Sequence, residues 1–86
     1  MNELLNYIGG VDVRARSGAT MTDYEPATGA PLASIPASGP EDVDDAVQAA
    51  RRALQGPWSG WATAERADLC DAVADAIESR LDELAE

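Results

Sequence analysis

PATGAPLASIPASGPEDVDDAVQAARRAL, residues 26–54, places a proline–glycine turn, a short strand and an amphipathic helix in succession without a spare residue. Pro26 presets a turn and Gly29 can supply the positive φ that closes it. Leu32 to Ile35 reads as a strand, closed by Pro36. Beyond it, Val43, Ala46, Val47, Ala50, Ala53 and Leu54 recur at the spacing that sets them on one stripe of a helix. Asp44, Asp45, Gln48, Arg51 and Arg52 take the opposite side. Pro40 suits the first helical position, because its φ is already helical and its missing N–H would have had no partner there. Gly39 or Ser38 is then the cap. Glu41 and Asp42 place negative charge on the N-terminal dipole, and Arg51 and Arg52 place positive charge near the other end. Gly56-Pro57 is expected to stop the helix, with Gly56 in the left-handed conformation.

Working outward, Leu5 to Ile8 reads as a strand and Gly9-Gly10 as a two-residue hairpin turn. Val11, Val13 and Ala15 alternate with Asp12, Arg14 and Arg16 as the return strand, and Ser17-Gly18 breaks it. Thr20 to Tyr24 is a further strand. On the other side, residues 57–62, with Trp58 and Trp61, read as a connector that plugs a gap between helices. A second helix is expected over 63–86, with Leu69, Cys70, Val73, Ala74, Ile77, Leu81 and Leu84 on one side and Asp68, Asp71, Asp75, Glu78 and Asp82 on the other. It reaches Glu86 without glycine, proline or a basic last turn, which reads as a helix cut before its end. The organisation is therefore strands and turns over 1–37, a first helix over 38–56, a connector over 57–62 and a second helix over 63–86.

Eighty-six residues make at most one small domain. Seventeen of the hydrophobic residues are alanine, only 22 are larger, and none is phenylalanine. Alanine faces let helices approach closely but bury little area each. These elements are expected to pack on something bigger than themselves. The net charge is −10, and residues 41–86 carry twelve acids against four arginines. Phosphate recognition needs clustered Lys or Arg, and the six arginines are spread along the sequence without a patch, which excludes nucleic acid and anionic membrane as partners. No apolar run is as long as a membrane span, and the start Met1-Asn2-Glu3 lacks a basic region followed by an apolar core. A single cysteine points to a reducing, intracellular and so cytoplasmic location.

The search for chemistry yields no catalytic, cofactor-binding or metal-ligating residue. Without histidine there is no Ser-His or Cys-His pair and no imidazole ligand. Cys70 falls on the apolar stripe of an acidic helix beside Asp71, so burial is the expectation and nucleophilic use is not. Glu41 with Asp45, and Asp71 with Asp75, stand at i, i+4 spacing and could hold a divalent cation weakly, but read as solvated surface. The glycines do not form the strand–glycine–helix arrangement of a pyrophosphate site. An acyl carrier reading fails too, because Ser79, in Glu78-Ser79-Arg80-Leu81, lies deep inside the second helix and not at a helix start. There is no solenoid repeat and no low-complexity segment.

The order of short motifs resembles the N-terminal segment of the NAD(P)-dependent aldehyde dehydrogenase superfamily. The resemblance rests on Asn6-Tyr7-Ile8-Gly9-Gly10, Tyr24-Glu25-Pro26-Ala27-Thr28-Gly29, Ala33-Ser34-Ile35-Pro36, Glu41-Asp42-Val43-Asp44 and Ala46-Val47-Gln48-Ala49-Ala50-Arg51. It continues through Gly56-Pro57-Trp58, Ala64-Glu65-Arg66, Leu69, Ala74-Asp75-Ala76-Ile77-Glu78 and Asp82-Glu83-Leu84-Ala85. It implies an α/β parent in which this chain supplies short strands, a hairpin and two amphipathic helices of a Rossmann-like cofactor domain. The parent would use NAD or NADP to oxidise an aldehyde to a carboxylic acid and would form a homo-oligomer. Its catalytic cysteine, glutamate and asparagine would lie downstream, so the chain alone is expected to bind no cofactor and to need the rest of the dehydrogenase as partner. An inert or interaction-only truncated product is the alternative. Some members of the family bind a monovalent cation through main-chain carbonyls that would fall at Asp23 and Tyr24; the other ligands are absent, and no site is assigned. Two departures stand out. Gly9-Gly10 replaces a frequent Asn-Gly, and Ala62 replaces a frequent Ser or Thr, which removes a capping box or shifts the helix start to Thr63 at a cost of roughly 1 kcal/mol.

Overall fold

The structure, a computed structural model, describes residues 2–85. Contacts divide the chain into two units, Met1–Leu54 and Gln55–Glu86.

In the first unit, five short strands precede one helix. Strands β2 (Asn6–Ile8) and β3 (Val11–Val13) pair antiparallel with Ile8 opposite Val11, so Gly9-Gly10 is the whole turn. Both glycines have positive φ, +63° and +84°. That is the geometry a two-residue turn needs to match strand twist, and glycine reaches it without a Cβ penalty. The strand expected from Leu5 is one residue shorter, and its return partner ends at Val13, not Arg16, because the chain then leaves the ladder to reach the helix. A separate sheet has the order β1–β5–β4, with β1 (Asn2–Glu3) parallel and β4 (Thr20–Tyr24) antiparallel to the central β5 (Pro31–Pro36). Strand β1 had no counterpart among the sequence expectations. The loop after β4 closes through Gly29, at φ +72°, whose N–H donates to the Glu25 carbonyl at 2.7 Å, while the Thr28 hydroxyl donates to the Glu25 carboxylate at 2.9 Å.

Helix α1 spans Pro40–Leu54, with two acids in its first turn and Arg51 and Arg52 in its last. Its inward face differs from the expected one. Asp42 is buried, and Asp45 and Ala49 are half-buried, at i, i+3 and i+7. The apolar stripe lies exposed, with Val43 at 61% and Leu54 at 75% of their full accessibility. The face turned inward is the one whose Asp42 accepts the Arg16 N–H from the loop after β3. Close approach is made by small groups: a Cβ built on Gly9 would stand 4.0 Å from that of Ala49. Gly56 is another correction. Its φ of −86° is extended, and it caps the following turn instead of ending α1 in the left-handed region.

The second unit opens with a one-turn 3-10 helix, Pro57–Gly60, in the span expected as a connector. Helix α2 follows over Thr63–Ser79, and a single turn, α3, over Leu81–Leu84. The expected helix over 63–86 is thus broken at Arg80, whose φ of −120° and ψ of +25° leave the helical region. Competing local bonds account for the break. The Ser79 hydroxyl donates back to the Ala76 carbonyl at 2.7 Å, the Arg80 N–H turns to Ile77, and the Arg80 guanidinium grips Glu83 with bonds of 2.9 and 2.6 Å. Ser79 therefore ends α2 and does not lie deep within it. Glu86, on which the reading of a cut helix depended, lies outside the described residues.

At the start of α2 half a capping box survives. The Ala62 N–H donates to Glu65 Oε1 at 3.1 Å, but Ala62 has no side-chain oxygen to return a bond. Ala62→Ser should restore the missing acceptor and raise unfolding stability by about 1 kcal/mol, read as a higher urea midpoint at an unchanged slope.

Burial is thin throughout. Among the described residues only Ala15 and Ala33, each 4% exposed, are buried hydrophobics. The chain exposes 6924 Å². Two separate compact bodies of these sizes would expose about 5,800 Å² between them.

Candidate functional site

A concavity of unit 1 lies between the β2–β3 hairpin and α1. It is a cavity of about 440 Å³ lined by Ile8, Val11, Val13, Arg14 and Arg16 from the hairpin and the loop after it, and by Asp42, Asp45, Gln48 and Arg52 of α1. Three of the six arginines, taken as scattered from the sequence, therefore meet at one groove. Their charge is largely used locally. Arg16 makes a bidentate pair with Asp45, at 2.7 and 2.6 Å, and Arg14 makes one with Glu3, at 2.9 and 3.2 Å. Both arginines are well exposed, so each pair contributes little to stability. The hydrogen bond and charge of Asp45 push the Arg16 guanidinium up from its already high value.

Asp42 closes the floor of this groove. Only 5% exposed, it accepts the Gly39 N–H at 2.8 Å on one carboxylate oxygen and the Arg16 N–H at 2.9 Å on the other. The first bond is the reach-back of a capping box, from the third helical residue to the cap. The second ties the loop after β3 to the helix, 26 residues away in sequence. These two backbone bonds, that from Gly39 first, hold the Asp42 carboxyl below its ordinary range against the opposing effect of burial. Asn6 adds a parallel tie, donating to Ser38 Oγ at 2.7 Å. Sequence reasoning credited Asp42 only with a dipole interaction. Its position three residues after a Gly-Pro cap was the available signal.

This arrangement fixes backbone. Asp45, half of one carboxylate pair considered for a cation, is engaged by Arg16, and among the described residues no three His, Cys, Asp or Glu side chains gather for a metal. Asp23 and Tyr24 flank an irregularity in the β4–β5 register. The β5-to-α1 connection is the one place among the described residues where a strand runs into a long helix, as in a pyrophosphate site, and there the helix N-terminus is already filled by Asp42. These residues do not fit a dinucleotide. Cys70 corrects an expectation: it is exposed, because the side of α2 that carries it has no cover within its unit.

In unit 2 the tryptophans pack on each other, with ring centroids 5.2 Å apart, and the Arg66 guanidinium lies 5.0 Å over the Trp58 ring. Arg66 also donates to the Trp58 carbonyl at 3.1 Å. This cluster ties residues 57–62 to the first turns of α2.

Residues 13–86 match the aldehyde dehydrogenase family. The chain belongs to that family. Among similar proteins, 2-hydroxymuconic semialdehyde dehydrogenase of Pseudomonas sp. (strain CF600) is 44% identical over 86 residues, covering 100% of this chain and 18% of the relative. Acetaldehyde dehydrogenase 2 of Cupriavidus necator is 41% identical over 80 residues, 93% of this chain and 16% of the relative. The 2-aminomuconic semialdehyde dehydrogenase of Bos taurus is 39% identical over 83 residues, 96% of this chain and 16% of the relative. The chain thus spans less than a fifth of the length of these relatives. The short strands and three α-helices among its described residues suit an α/β protein. Among its described residues no helix is long and apolar enough to cross a membrane.

Proposed function

We propose that these 86 residues are the N-terminal part of an NAD(P)-dependent aldehyde dehydrogenase and supply structure, not chemistry, to a Rossmann-like cofactor domain. The observation that carries this reading is the pairing of family identity along the whole chain with apolar helix faces left in solvent. Val43, Val47 and Leu54 on α1, and Leu69, Val73 and Ile77 on α2, are all at least 41% exposed. Stripes at helical spacing are built to be covered. Their cover is the remainder of a longer dehydrogenase chain, which also brings the nucleophile, the cofactor site and the subunit contacts of a homo-oligomer. That parent oxidises an aldehyde to a carboxylic acid with NAD or NADP, in the cytoplasm. Within it, residues 1–37 serve as strands and turns, 38–56 as the first helix, 57–62 as the connector and 63–86 as the second helical region.

The test compares two proteins. A dehydrogenase beginning with these residues, given a semialdehyde or acetaldehyde with NAD or NADP, is expected to form reduced nicotinamide, followed by its absorbance. The 86 residues alone are expected to form none. Turnover by the 86 residues alone would overturn the reading.

The same exposed faces favour a second reading, in which a product of this length acts as an interaction segment on a full-length homologue. Adding the 86-residue chain to such an enzyme would then change its assembly or its rate; no change at saturating excess excludes this role.

A further inference from the structure

We draw no further inference here: the strongest candidate, the groove between the β2–β3 hairpin and α1 where Arg14, Arg16 and Arg52 gather, has two of its three cations engaged by Glu3 and Asp45, so that among the described residues Arg52 alone is left to define a ligand.

Discussion

Ile77→Ala is expected to leave the stability of the 86-residue chain within about 0.5 kcal/mol, and to cost a full-length dehydrogenase about 2–5 kcal/mol. The contrast comes from burial. Ile77 is 51% exposed on α2, and its neighbours along the stripe, Val73 and Leu81, are no better covered. Deleting an exposed side chain removes few contacts, and alanine is the better helix former. Once the stripe is covered, the same deletion loses transfer free energy and leaves a cavity. Urea unfolding of both proteins, each with and without the substitution, gives the two differences. A large loss in the short chain would mean that α2 already buries this face by itself. A negligible loss in the long chain would mean that nothing covers it there either.

Asp42→Ala is expected to be the most damaging substitution of an acidic residue in unit 1. It strands two backbone donors, those of Gly39 and Arg16, in a place that water reaches poorly. Asp42→Asn should also destabilise, because an amide presents one acceptor and turns its NH2 toward the second donor. Asp44, on the exposed side of α1, is the control and should tolerate alanine with little change. Amide hydrogen exchange at Gly39 and Arg16 reads the effect locally: both should speed up in the Asp42 variants and neither in Asp44→Ala.

The pH dependence follows with a definite sign. The folded carboxyl of Asp42 is held below its ordinary range, so the unfolded chain binds its proton more readily. The stability it contributes is present in full above the ordinary carboxylate range and is lost as pH falls below about 4 and through the folded value. Glu83, lowered by its hydrogen bond from Arg80, acts in the same direction, though solvent screens that exposed pair. In Asp42→Ala the acid limb of the stability profile should flatten.

How much of this was legible depended on the range over which each feature is determined. The Gly9-Gly10 turn and the start of α1 at Pro40 are set by neighbours in sequence, through glycine at positive φ, proline at the first helical position and charge matched to the dipole. Both stand where those residues put them. The inward face of α1 is set by the loop after β3, which offers an unpaired N–H at Arg16 and so draws in Asp42 over Val43. Periodicity ranks faces by hydrophobicity, and it misses a face drawn in by a hydrogen bond to a distant loop. The parallel pairing of Asn2–Glu3 with β5 is two residues long, too short to leave a pattern. The arginine groove joins positions 14, 16 and 52, which only the tertiary fold brings together. The break at Arg80 rests on hydroxyl and ion-pair bonds that an apolar stripe running through Leu81 and Leu84 conceals.

The proposal that these residues work as part of a larger dehydrogenase can be tested on the mass of the native protein. In an extract of the source cells, a peptide from α1 identifies the protein whose intact mass is to be measured. The account predicts several times the 9.0 kDa of this chain. A native protein of about 9 kDa, with no longer form carrying the same peptide, would contradict it.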